Sequence, residues 1–134
     1  MKSLFLALLL IPAVTYAYGP YSADLVRVID GDTVEVRVHL WPGLDKTTRL
    51  RIDGVDTPET RTKNLCEKAL GQKAKTFTRE FAKPPITVIG IKDGKYAGRV
   101  LGDLLVNGES LRQALIDSGH ARAYSGGKRL PWCE

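Results

Sequence analysis

The chain has 134 residues, with 20 Lys and Arg against 15 Asp and Glu, a formal charge of +5, and 43% hydrophobic residues. That length holds one domain rather than two with separate cores, and the composition excludes disordered, collagen-like and coiled-coil chains. Aromatic residues make up only 7%, so the core has to be aliphatic.

Lys2 is followed by an apolar run from Leu4 to Val14 and then by Thr15-Tyr16-Ala17. A positive start, a short apolar stretch and a small-residue end predict a signal peptide over residues 1–17, cleaved after Ala17. A membrane span needs about 20 apolar residues, roughly twice this run; a buried N-terminal helix is the alternative. Residues 18–134 then form the mature domain. They contain no second long apolar run, so the mature protein is expected in a periplasm or outside the cell, free of the membrane, and is taken to be a monomer.

Asp30-Gly31, Asp53-Gly54, Asp93-Gly94 and Asn107-Gly108 lie beside β-branched runs and read as strand turns. Leu25 to Ile29 precedes the first turn as a strand. Val34, Val36, Val38 and Leu40 alternate with Glu35, Arg37 and His39, the period of a half-buried second strand. Leu50 and Ile52 alternate with Arg49, Arg51 and Asp53 as a third, and Trp41 to Lys46 reads as the hairpin loop between them. The period then changes. Cys66, Ala69, Leu70, Ala74, Phe77 and Phe81 follow helical steps, predicting an amphipathic helix that Pro84-Pro85 stops. Ile86 to Ile91 is the fourth predicted strand, and Arg99 to Val106 the fifth. Leu111, Ala114 and Leu115 make a short second helix closed by Gly119. The last 15 residues have no periodicity and are expected as an ordered coil. Three strands, a helix, two strands and a helix fit an α+β, mainly β fold, a five-stranded OB-type barrel; the pattern also admits another α+β sheet.

In an exported chain the even pair Cys66 and Cys133 reads naturally as a disulfide that ties the tail to the middle of the chain. Two free thiols are the alternative, because spacing does not show that the sulfurs meet. His39 and His120 have no zinc-type spacing to either cysteine and read as structural.

Charge is uneven along the chain. Eight of the acids lie between Asp24 and Glu59, whereas residues 68–134 carry 12 bases against 6 acids. A basic surface suits nucleic acid, since phosphate contacts release counterions. Carboxylates near phosphates need a cation between them, so the combination points to metal-assisted phosphate chemistry; a solvated surface is the plain alternative. Asp32 and Asp56 each stand at a strand end, where neighbouring strands can bring their carboxylates together. Two Asp, a backbone carbonyl and waters supply the several oxygens that Ca²⁺ needs. Glu59, whose direction Pro58 fixes, is then a carboxylate beside the ion, able to take a proton from water. Singly, each Asp reads as a turn residue before it reads as a ligand, and it is the set that points to a cation. Lys63, Lys68, Lys73, Lys75 and Arg79 fall outside the apolar stripe of the first helix and read as a solvated face.

Asp30-Gly31-Asp32-Thr33, Arg51 with Asp56-Thr57-Pro58-Glu59, and Tyr96 with Gly98-Arg99 resemble the staphylococcal nuclease-like (thermonuclease) family from about Leu25 to Tyr124. The resemblance implies an OB-type barrel and Ca²⁺-dependent hydrolysis of DNA and RNA, single strands favoured, leaving 3′-phosphate ends. It assigns Asp32 and Asp56 as carboxylate ligands of Ca²⁺ and Thr57 as the carbonyl ligand. Glu59 becomes the residue that activates water, and Arg51 and Arg99 the guanidinium groups on the reacting phosphate. Lys95, Tyr96 and Tyr124 match substrate-contacting positions. Ala97 is an insertion between Tyr96 and Gly98, and Tyr124 is one residue out of register. The long third helix of the staphylococcal enzyme is absent, and a Cys66–Cys133 bridge would clamp the tail in its place. The structural alternatives are a surface Arg51 opposite Asp53 and an Arg99–Asp103 ion pair. A non-catalytic OB module for single-stranded nucleic acid is the second functional reading and a Ca²⁺-stabilised structural module the third. Strands almost free of stacking aromatics argue against the binding module.

Overall fold

The computed structural model describes residues 18–134; the expected signal peptide lies outside them. Strands β1 (Tyr21–Asp30), β2 (Thr33–Trp41) and β3 (Leu44–Ile52) form an antiparallel meander, followed by the two-residue β4 (Val55–Asp56). Helix α1 (Leu65–Phe81) leads to β5 (Ile86–Asp93) and β6 (Arg99–Val106). The short β7 (Glu109–Ser110), α2 (Leu111–Asp117) and β8 (Arg122–Ala123) complete the order. β5 pairs with β1 and β6, and β6 pairs in parallel with β3, which closes five long strands into a mixed barrel. Closure removes the sheet edges that an open meander would leave unpaired.

The strand periods put Val34, Val36, Val38, Leu50, Ile52, Val88 and Leu104 inside the barrel, all nearly or fully inaccessible to water. Leu111 and Leu115 of α2 cap one end of this core. Each such aliphatic side chain contributes about 1.5–3 kcal/mol by leaving water, and the core is aliphatic, as the composition requires.

Three expectations need correction. The predicted six-residue loop Trp41–Lys46 is a two-residue turn, Pro42-Gly43, and the strands run on to Trp41 and Leu44. Gly43 has φ +81°, a conformation that costs glycine little, so the hairpin reverses in the shortest span. The buried face of α1 is not the Leu70, Ala74, Phe77, Phe81 stripe: Gly71, Ala74 and Thr78 are buried, while Leu70, Phe77 and Phe81 flank them half-buried. Small residues win because the helix lies directly on backbone. A Cβ at Gly71 would stand 2.5 Å from the Glu59 carbonyl oxygen, and one at Gly31 would stand 2.7 Å from Ala74 Cβ. Finally, the tail is not coil throughout, since β8 pairs antiparallel with β4.

Cys66 and Cys133 are joined, closing a link between residues 67 apart. The bridge ties the tail to the first turn of α1, whose N-cap Asn64 accepts from the Glu67 amide at 3.1 Å. His39 lies in an exposed ion pair at the hairpin, 2.8 Å from Asp45 and 3.1 Å from Asp24, and His120 packs over Phe77.

Candidate active site

One helix face positions the carboxylates. Asp32 occupies the Gly31-Asp32 turn between β1 and β2, and that turn rests on α1 at Ala74, with Thr78 Oγ1 donating to the Gly31 carbonyl at 2.6 Å. One turn earlier, Gly71 lets the backbone of Pro58 and Glu59 lie against the same helix. The loop after β4 is also tied to the first turn: the Thr57 amide donates to Asp32 Oδ2 at 3.0 Å, and Thr60 Oγ1 donates to Asp30 Oδ1 at 2.5 Å. Asp32, Asp56 and Thr57 are buried, at 7%, 2% and 2% exposure, which makes uncompensated charge there expensive.

The guanidinium groups come from the outer face of β3 and β6. Leu50 and Ile52 point inward, so Arg51 points out, and the parallel register sets Arg99 beside Arg49 on that same face. Arg51 Nη1 lies 3.1 Å from Asp32 Oδ2 and also donates to the Ile52 and Val55 carbonyls. It is therefore not a surface partner of Asp53, which pairs with Lys92 at 2.8 Å. Arg99 is not paired with Asp103 either. That carboxylate accepts from the Leu104 and Arg112 amides and from Ser110 Oγ, sewing β6 to the start of α2. Arg99 sits 5.0 Å over the Tyr96 ring, and its Nε is buried without an acceptor. A buried donor left unpaired is costly in itself, and no carboxylate of the chain satisfies this one.

Asp32, Arg51, Asp56 and Arg99 line one cleft of about 940 Å³, together with Thr57, Glu59, Lys95, Tyr96 and Tyr124. Every residue that the sequence assigned to cation, catalysis or substrate thus reaches the same place. Lys95 lies 5.9 Å from the Tyr96 ring, and the turn that contains Ala97 leaves both residues at the cleft. Tyr124 is fixed at both ends, its amide donating to the Gly54 carbonyl and its hydroxyl to the Gly127 carbonyl at 2.5 Å.

Two site residues escaped sequence reasoning, Arg122 and Arg129. Arg122 is the cross-strand partner of Asp56 in the β4–β8 pair and donates to its Oδ2 at 3.2 Å, while its guanidinium stacks 4.2 Å from the Trp132 ring. Arg129 reaches further in. Its Nε donates to Asp56 Oδ1 at 2.9 Å, its Nη1 to Glu59 Oε1 at 2.8 Å and its Nη2 to the Thr57 carbonyl at 3.2 Å. Burial works against its charge, but the hydrogen bond to Asp56, with the fields of Asp56, Glu59 and Glu67, outweighs burial and raises its pKa. An aperiodic tail carries no pattern signal for such contacts. The signal available was the cysteine pair, because Cys66 follows Glu59 by seven residues and Cys133 follows Arg129 by four.

Among the described residues no group of three His, Cys, Asp or Glu side chains forms a cation cage. The oxygens of Asp32, Asp56 and the Thr57 carbonyl are nevertheless hard donors of the kind a divalent cation takes, with water completing its shell. Two of those three groups, Asp56 and the Thr57 carbonyl, already face a cationic group, the Arg129 guanidinium.

Residues 49–130 match the family model described as staphylococcal nuclease homologue. The match begins within β3, after the turn that bears Asp32. Among curated proteins the chain is similar to Endonuclease YhcR of Bacillus subtilis (strain 168), 33% identical over 84% of this chain and 10% of that protein. Endonuclease YncB of the same organism is 34% identical over 75% of this chain and 47% of its own length. Protein ParB of Escherichia coli is 28% identical over 88% of this chain and 66% of its own. The chain therefore spans a tenth, about half and two thirds of these relatives.

Proposed function

This chain belongs to the family of staphylococcal nuclease homologues, and from that premise we propose that it is a nuclease, an exported phosphodiesterase acting on DNA and RNA. The observation that carries the proposal is the cleft itself. Arg51 and Arg99, from one face of β3 and β6, line it with Asp32, Asp56 and Glu59; Arg51 is paired with Asp32, and Arg99 Nε has no acceptor of its own. Two of the three relatives above are named endonucleases, which supports the same class of reaction.

A phosphodiester gains charge on its equatorial oxygens as the transition state forms, so the barrier falls where positive charge is fixed in place. Arg51 and Arg99 provide planar forks that stay protonated and bind two oxygens at once. Glu59, half exposed at the cleft, takes a proton from the attacking water. The water oxygen joins phosphorus, the bond to the 5′-oxygen breaks, and that oxygen leaves as a hydroxyl once protonated. The products are a 3′-phosphate and a 5′-hydroxyl end, the outcome that the family resemblance implies. Asp32, Asp56 and the Thr57 carbonyl would hold a divalent cation, Ca²⁺ by their all-oxygen character. When bound, it supplies further positive charge to the phosphate and acidifies water. Lys95, Tyr96 and Tyr124 extend the cleft for neighbouring nucleotides, and single strands, whose bases are free to stack, are the favoured substrate. The proposed working form is a monomer, released by cleavage after Ala17 into a periplasm or the medium.

The test is cleavage of single-stranded DNA and RNA by the purified protein in Ca²⁺ or in chelator, beside Glu59→Gln. Ca²⁺-dependent cleavage that falls by about a hundredfold or more in the variant is the expected result. Nucleic-acid binding without cleavage under any divalent cation overturns it in favour of a binding module.

A further inference from the structure

Arg129 makes an unusual set of bonds for an ion pair. A surface pair needs one carboxylate, but this guanidinium takes one oxygen each from Asp56, Thr57 and Glu59, all within 2.8–3.2 Å. Two of those oxygens belong to the set assigned above to a divalent cation, and the third belongs to the residue assigned to water. Asp56 is further committed, because Arg122 holds its other oxygen. Each Asp56 oxygen thus accepts from a guanidinium, so a cation brought to either meets positive charge already in place.

The segment that carries Arg129 is anchored at both ends, and between them Arg122 donates to the Leu130 and Pro131 carbonyls and stacks on Trp132. Tyr124 is held to Gly54, and Cys133 to Cys66, while Gly126 and Gly127 lie between with φ of +102° and +83°. Arg129 is a third exposed at its side chain, and no strand or helix includes it. Its side chain can therefore rotate out of the cleft while the backbone on either side stays held and the barrel stays folded.

We propose that Arg129 is the chain's own occupant of the cation seat, and that a divalent cation and Arg129 compete for the oxygens of Asp56 and Thr57. The inference rests on the cation reading of the site given above. Two positive groups cannot share these two oxygens at close range without strong repulsion. Cation binding then requires Arg129 to swing out, and the observed affinity is the intrinsic one reduced by the fraction of chains in which it has done so. Its exit also releases Glu59 from the hydrogen bond that now occupies one of its oxygens. The tail becomes a tethered competitor whose local concentration is set by the Cys66–Cys133 bridge.

The experiment is calorimetric titration of Ca²⁺ into the full protein and into Arg129→Gln at constant ionic strength, with thermal melts of each in chelator and in saturating Ca²⁺. The expected result is that Arg129→Gln binds Ca²⁺ about tenfold more tightly. Its melting temperature should drop in chelator, where Asp56 and Glu59 lose a counter-charge, and rise further than the parent's on adding Ca²⁺. Arg129→Lys, whose single ammonium cannot bridge three oxygens, should bind with intermediate affinity and carries the test should the Gln variant fail to fold. Equal or weaker binding in these variants overturns the competition while leaving the cation site intact. Absence of Ca²⁺ binding in every protein overturns the cation reading, and this inference falls with it.

Discussion

Replacing Gly71 by Ala sets two physical effects against each other. In the middle of a helix Ala is favoured over Gly by about 1 kcal/mol, through the backbone entropy that Gly loses on folding. Here, however, the added Cβ would stand 2.5 Å from the Glu59 carbonyl oxygen, 2.6 Å from its carbonyl carbon and 2.9 Å from the Pro58 oxygen. Ordinary contact begins near 3.4 Å, so helix and loop must separate by about 0.9 Å. The obstacle is backbone on both sides, not the end of a flexible side chain. Overpacking of this kind costs about 1–3 kcal/mol, and rigid neighbours put it in the upper half of that range. The net expectation is a loss of ~1–2 kcal/mol, a melting temperature lower by about 4–8 °C for a domain of this size. Since the displaced segment carries Glu59, a shift near 1 Å should also cost roughly a hundredfold in cleavage rate. Thermal melts and a cleavage time course on the parent and Gly71→Ala decide the matter. A variant that melts at or above the parent temperature and cleaves at the parent rate would refute the argument, because helix propensity would then have outweighed the contact.

Reducing the Cys66–Cys133 bridge, or replacing both residues by Ser, should lower stability by up to ~4 kcal/mol in the chain-entropy view for a link of this length, read from urea unfolding with and without reductant; identical midpoints would show that the tail docks unaided. At the hairpin, the hydrogen bond to Asp45 chiefly, with the fields of Asp45 and Asp24, raises the pKa of His39 against the opposing effect of burial. Its contribution to stability is therefore complete below the unfolded value of about 6.5 and disappears as pH rises through the higher folded value. His39→Gln should abolish that part of the pH dependence in melts between about pH 6 and 8, and an unchanged profile would exclude the ion pairs as its source.

Local pattern carried much of the fold. The period-two alternation of Val34 to Leu40 and the β-branched run from Ile86 describe strands that exist, and β6 begins at Arg99 and ends at Val106 as its flanking turns require. The turn sequence Asp30-Gly31-Asp32-Thr33 and the run Asp56 to Glu59 were visible as candidate chemistry, because side-chain type and short spacing are properties of the chain itself. Only the tertiary structure closed the barrel through the parallel β3–β6 pair, since that pairing joins segments whose separation no local period records. It also decided which face of α1 is buried. Hydrophobicity favoured Phe77 and Phe81, but a backbone turn and a loop had to lie on the helix, and only Gly71, Ala74 and Thr78 leave room for them. The same holds for the site. Arg129 meets Asp56 across 73 residues and Glu59 across 70, brought there by β8 pairing with β4 and by the bond between Cys66 and Cys133. A sequence states which residues can carry charge; which charges must share one buried space follows only when the chain has closed on itself and the cost of leaving any of them unpaired is imposed.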